Sequence, residues 1–235
     1  IVKLLLAVDG VDVNAKNKQG CTALLVAASH GRTEIVKLLL AVDGIDVNAK
    51  VGDGMTLLQW AAVNVHLKEK KGWTALHYAA DKGHAEIVKL LLAVDGIDVN
   101  AKDKDGQTAL HYRADGDTHT HNGNDRTEIV KLLLAVDGVD VNAKDEHGYT
   151  ALLYAARDNY TEIVKLLLAV DGIDVNVNGE DVTALSVAAR CFHIEIVKLL
   201  LAMDGIDVNA KGGYELDDGL TALHEAISGE GEGIL

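Results

Sequence analysis

No stretch of this chain approaches the roughly 18 consecutive apolar residues of a membrane span, because a lysine interrupts every Ile-Val-Lys-Leu-Leu-Leu run. Membrane insertion is not expected. Basic residues are the scarcer charge, 22 Lys and Arg against 36 Asp and Glu, for a net charge of −14. They are also spread thinly along the sequence, whereas nucleic-acid binding needs them clustered to displace phosphate counterions. The excess acidity does not point to a basic partner either. Twelve of the 36 acids are paired aspartates of one recurring segment, Asp9 and Asp12 through Asp204 and Asp207, and they chiefly favour solubility. There are only two cysteines, Cys21 and Cys191. Thiols so far apart build no disulfide framework and suggest a reducing, intracellular and cytoplasmic setting. Proline is absent altogether.

What the chain has is repetition. Ile-Val-Lys-Leu-Leu-Leu begins at Ile1, Ile35, Ile87, Ile129, Ile163 and Ile196. A Thr-Ala-Leu type segment begins at Thr22, Thr56, Thr74, Thr108, Thr150, Thr183 and Thr221. Spacings of 33 or 34 residues dominate, so one unit is two short helices plus a loop. Thr is a competent N-cap for the first helix. Paired alanines at 79–80, 155–156 and 188–189 permit close helix approach. The second helix is apolar on two stripes, as in Ile87, Leu90, Leu91 and Val94 with Val88 and Leu92. Such a helix is sandwiched between neighbours. Each second helix then reaches Asp-Gly, at Gly10, Gly44, Gly96, Gly138, Gly172 and Gly205, where glycine supplies a left-handed cap. A hairpin-like loop follows, with Gly at 20, 54, 72, 106, 148 and 219.

These features resemble the ankyrin repeat, whose T-P-L-H-x-A first helix is matched at Thr74–Ala79 and Thr108–Tyr112. The resemblance covers essentially the whole chain. It implies an all-α, ankyrin-type solenoid of stacked helix–turn–helix units with hairpin-like loops. The usual proline is replaced by Ala23, Ala75, Ala109, Ala151, Ala184 and Ala222, or by Leu57. The motif histidine survives only at His77, His111 and His224, where the resemblance implies hydrogen bonding between neighbouring loops. The register reads residues 1–235 as one array: a partial unit 1–10, units at about 11–44, 45–64, 65–96, 97–138, 139–172 and 173–205, and a partial unit 206–235. Beginning inside one second helix and ending where another should start, it reads as a piece of a longer protein.

The pattern breaks in three places. Thr56 and Thr74 are only 18 residues apart. Alignment of the units puts the loss between Asn64 and Val65 and removes a whole second helix. Its four or five buried aliphatics would contribute on the order of 6–12 kcal/mol, as much as a whole domain's stability. Either the stack is dislocated there or the sequence itself has lost residues. The other two breaks are loop insertions, Asp115–Asp125 and Gly212–Gly219, which are thermodynamically mild.

Candidate chemistry is sparse. The Asp115–Asp125 insertion gathers Asp115, Asp117, His119, His121 and Asp125. Zinc or calcium binding is a third, weaker reading there; the segment misses the EF-hand pattern and reads better as a polar loop. Cys191 and His193 are two apart at a helix end and point in different directions. Asn159-Tyr-Thr161 matches a glycosylation acceptor of the kind expected by chance. Every glycine punctuates a helix end or turn, so there is no phosphate-binding loop. No enzyme activity, metal or cofactor is expected.

The informative positions vary while their frame stays constant. Six of the nine aromatics, Trp60, Trp73, Tyr78, Tyr112, Tyr149 and Tyr154, fall just before the Thr or just after the His position. In ankyrin repeats these sites lie on the concave hairpin and first-helix side, and aromatics there would dominate an interface, unless they pack against neighbouring loops. The expectation is a monomeric protein-interaction module or scaffold that holds a protein partner on that face. The alternative is a regulatory or targeting array in a multidomain enzyme or signalling protein whose active domain lies outside this segment.

Overall fold

The computed structural model describes residues 1–51, 72–114, 123–180, 182–211 and 220–228, with backbone alone at 123–125 and 228. Among these residues there are twelve helices and no strand, with one isolated bridge between Gly179 and Val182. The chain divides into two compact units, residues 1–109 with 120–125 and residues 110–119 with 126–235.

The first unit holds α1 (Val2–Leu6), α2 (Ala23–Ser29), α3 (Thr33–Leu40), α4 (Ala75–Asp81) and α5 (Ala85–Leu92). Each helix pair packs on itself, α2 on α3 and α4 on α5; the pairs then stack, α2 on α4 and α3 on α5. The paired alanines sit at the contact: Ala28, Ala79 and Ala80 are fully buried. The two apolar stripes of the second helices account for the rest of the core, with Val36, Leu39, Ile87, Val88 and Leu91 buried.

The second unit repeats the plan. It contains α6 (Ala109–Ala114) apart from its first residue, α7 (Gly123–Leu134) from Arg126 onward, α8 (Ala151–Arg157), α9 (Thr161–Leu168), α10 (Ala184–Arg190), α11 (Ile194–Leu201) and α12 (Ala222–Ser228). First helices stack as α8, α10 and α12, and α9 lies against α11.

Threonine caps the first helices as expected. Thr22, Thr74, Thr150 and Thr183 are extended, and each hydroxyl accepts the amide three residues on, at 3.1 to 3.4 Å. The second-helix exit differs from the expected glycine cap. The helices stop at Leu40, Leu92, Leu168 and Leu201, and the cap is a right-handed alanine, Ala41, Ala93, Ala169 or Ala202. The glycine lies three residues further on, in the turn that follows. It does take a left-handed conformation, φ 78° to 83° at Gly10, Gly44, Gly96, Gly138, Gly172 and Gly205. A second difference is at α7. It starts at Gly123, so the last residues assigned to the Asp115–Asp125 loop are helical.

Residues 52–71, with the Asn64–Val65 junction and Trp60, lie outside the described residues. On either side of them the register is unbroken. The amide of Val51 donates to the Trp73 carbonyl at 3.0 Å. In three other hairpins the same 3.0 Å bond joins Asn17 to Cys21, Asp103 to Gln107 and Asp145 to Tyr149. There the partners are four residues apart; here they are 22 apart, and the difference of 18 equals the short Thr56–Thr74 spacing. The α2–α3 pair thus meets α4–α5 directly. The burial that a missing second helix would forfeit is supplied by the next complete pair.

Candidate interaction face

Three of the hairpins are each built around one side chain that folds back on its own loop. Asp145 Oδ1 accepts the amides of His147 and Tyr149, both at 2.9 Å, while Oδ2 accepts the Tyr154 hydroxyl at 2.7 Å. Asp103 Oδ1 accepts the amides of Asp105 and Gln107 at 3.0 and 2.9 Å, and Oδ2 accepts the Trp73 indole N–H at 3.0 Å. Asn17 does the same for Gln19 and Cys21. An acidic or amide side chain with the next amides in reach is the usual way to fix such a turn. The glycine of each tip, φ 73° to 79° at Gly20, Gly72, Gly106 and Gly148, takes the backbone where a side chain would be strained.

Neighbouring hairpins are joined by two sets of bonds. His77 and His111 behave as the resemblance implied. His77 Nδ1 accepts the Thr74 amide at 3.2 Å, so its proton lies on Nε2, which donates to the Gln107 carbonyl of the next hairpin at 3.1 Å. His111 Nε2 reaches the Tyr149 carbonyl at 3.1 Å in the same way. The second set was not anticipated. The asparagines of four Asp-Val-Asn segments span to the next helix exit with both ends of the amide. Asn14 donates to the Gly44 carbonyl and accepts the Asp46 amide, at 2.7 and 2.8 Å. Asn48 does so with Gly96 and Asp98, Asn142 with Gly172 and Asp174, and Asn176 with Gly205 and Asp207. The signal was present in the sequence as an asparagine unchanged from unit to unit.

The aromatic row is placed differently from the open display expected of it. Trp73, Tyr78, Tyr149 and Tyr154 are only 4, 7, 7 and 5 % exposed. They pack edge to face, Trp73 against Tyr78 at 4.9 Å and Tyr149 against Tyr154 at 5.6 Å between ring centres. Burial, reinforced by the nearby Cys21 and Asp81, pushes the Tyr78 hydroxyl well above its ordinary range. Tyr112 alone of the described five is half-buried. The rings pack within their own repeats, and the Trp73 indole N–H also reaches Asp103 of the next hairpin. What stands in solvent is the hairpin tip, including Lys18, Lys104, Glu146, His147 and Glu180.

The remaining candidates separate. Both cysteines are free, and burial raises the Cys21 thiol against the lowering effect of Lys16. His193 Nδ1 is bound to the Ala156 carbonyl at 2.8 Å, so it is committed to the neighbouring turn and not to Cys191. Among the described residues no group of His, Cys, Asp and Glu is arranged to hold a metal, and residues 115–122 lie outside them. No described helix is long and apolar enough to cross a membrane.

Tandem helix pairs that stack within each unit, with side chains bridging neighbouring hairpins there, define a helical repeat solenoid. A family model described as ankyrin repeats (3 copies) matches residues 1–68, 62–122 and 118–212. The chain belongs to the ankyrin-repeat family. Repeats of this family are in general protein–protein interaction modules and typically non-catalytic. A comparison with curated proteins gives no match.

Proposed function

We propose that the chain is a passive protein-interaction module that holds its partner on the hairpin and first-helix side. The observation that carries this reading is the doubly bonded hairpin frame. Histidine and asparagine bridges fix neighbouring loops to one another within each unit, so side chains at those tips are held in place before any partner arrives. A preorganised surface loses little freedom on binding. Within that frame the tips differ from unit to unit, as Lys18-Gln19, Lys104-Asp105 and Glu146-His147. Specificity resides in these pairs and in the exposed edge of Tyr112. Trp73, Tyr78, Tyr149 and Tyr154 contribute rim contacts and hold the face rigid from below.

The test is affinity capture with the chain as bait, followed by hydrogen exchange on the complex. Protection is expected across the hairpins and first helices, and Tyr112→Ala should weaken capture by about 2 kcal/mol if that ring is an anchor. Protection confined to the second helices would overturn the assignment of the face.

A further inference from the structure

Two consecutive hairpins of the second unit touch at their tips. Gly148 and Gly179 meet backbone to backbone: a Cβ at 148 would lie 3.2 Å from the Gly179 Cα, and one at 179 only 2.7 Å from the Gly148 carbonyl oxygen. Glycine at both positions is what lets the tips close. The second tip is a tight turn in which Gly179 and Val182 are bonded both ways, at 3.0 and 2.9 Å. It holds Glu180 at φ 40°, a conformation uncommon for a residue with a side chain. From there the Glu180 carboxylate meets His147 of the first tip.

The imidazole stands between two carboxylates, one from each hairpin. Its Nδ1 is bonded to Glu180, and its Nε2 lies 3.5 Å from Glu146 of its own loop. A neutral ring carries one N–H and turns a lone pair towards the carboxylate it does not serve, whereas an imidazolium donates from both nitrogens. Only the charged ring suits both neighbours at once. Among the described residues the charged groups acting on it are Glu180, Asp145 and Glu146, and the Tyr149 ring lies 6.2 Å away.

We infer that His147 is a proton-operated clasp between these two hairpins: charged, it ties the tips together through Glu180 and Glu146; neutral, it lets one carboxylate go and leaves the tip pair looser and more negative. The clasp rests on this geometry alone; that it regulates capture of a partner rests on the interaction-face reading above. The bond to Glu180, aided by the charges of Glu180, Asp145 and Glu146 and opposed by slight desolvation, raises the imidazole pKa. The ring therefore keeps its proton at a pH where an unpartnered histidine, of pKa about 6.5, has begun to lose it. Acid closes the tips and alkali opens them. All three side chains are about half exposed, which keeps the change small and leaves the clasp within reach of a partner.

The test uses the free 235-residue chain, so it reads the clasp whether or not the face captures a partner. The His147 ring is titrated by NMR. Exchange of the Gly179 and Val182 amides is measured near pH 5.5 and near pH 7.5 and divided by the intrinsic rate at each pH. The His147 midpoint should lie above about 6.5, and Glu180→Gln should lower it more than Glu146→Gln does. Protection of the two amides should be about 1.5- to 5-fold greater at the lower pH, the span of an exposed ion pair. His147→Gln should abolish that difference. A midpoint at or below the ordinary value overturns the proposal, as does one that Glu180→Gln leaves unmoved. So does protection that is equal at both pH values, or that differs just as much in the His147→Gln chain.

Discussion

Two hairpins of this molecule close with the same backbone bond and are otherwise opposites. The Asp145–Gly148 hairpin is locked by a buried carboxylate that gathers two amides and the Tyr154 hydroxyl. The Val51–Gly72 hairpin has an apolar residue at the equivalent position and 20 residues between its ends where the other has two. Both nevertheless deliver the next threonine to its helix, Thr150 and Thr74, each capping at 3.4 Å. The comparison teaches that the stack does not depend on how the chain travels between repeats. It depends on contacts between repeats: alanine-lined helix packing, the histidine bridge and the asparagine ladder. Asn48 reaches Gly96 across 48 residues as well as Asn142 reaches Gly172 across 30, both at 2.8 Å.

The largest break in the comparison comes from the locked side. Tyr154→Ala should cost about 3–5 kcal/mol, the range for removing a large buried ring. The effect belongs in the chemical melt itself, since the ring is packed and not displayed. A melt left unmoved would return Tyr154 to the contact surface. Asp145→Ala follows at about 2–3 kcal/mol, because it strands two hairpin amides and a buried hydroxyl together. The open hairpin has no such residue to lose.

On the open side, replacing residues 52–71 by a Lys-Asp pair copied from Lys104-Asp105 shortens the connection about tenfold. Loop-closure entropy then predicts a gain of about 2 kcal/mol in urea unfolding. A loss of stability on this deletion would mean that the segment packs on the repeats it connects. Next to the same loop, Ala75 is the first residue of α4 and follows an extended Thr74, φ −93° and ψ 173°. That is the backbone a proline wants before it. Ala75→Pro should raise stability by about 0.4–1 kcal/mol through the unfolded chain. A lower melting temperature would show that the amide of Ala75 is needed.

The periodic features of this fold could be read in advance because repetition averages out local ambiguity. Threonine caps, hairpin glycines and the bridging role of His77 and His111 recur in register, and the geometry follows them. The aromatics were harder for a physical reason. A side chain that varies between repeats looks the same whether it faces a partner or packs against its own repeat, and Trp73, Tyr78, Tyr149 and Tyr154 are buried. Arg113 illustrates the converse. It stands where other repeats have Ala79, Ala155 and Ala188, yet it is fully buried, a placement no hydropathy pattern suggests. The asparagine ladder is not legible in the sequence because a constant asparagine looks like part of the helix exit, when its partners lie one repeat away.

The smallest effect sharpens the comparison at its tip. His147 of the locked hairpin sits between Glu146 of its own loop and Glu180 of the next, and its Nδ1 is bonded to the Glu180 carboxylate. That hydrogen bond is the main cause of a raised imidazole pKa, opposed by slight desolvation and aided by the charges of Glu180, Asp145 and Glu146. A group whose pKa is higher in the folded state stabilises that state while it is protonated. The contribution is therefore complete below the unfolded value of about 6.5 and disappears as pH rises through the higher folded value. Both partners are about half exposed, which holds the effect to the low end of the roughly 0.2–1 kcal/mol of surface pairs. His147→Gln should thus lower the urea midpoint slightly near pH 5.5 and leave it unchanged near pH 9. A deficit of the same size at both pH values would assign the side chain a packing role and remove the charge from the account.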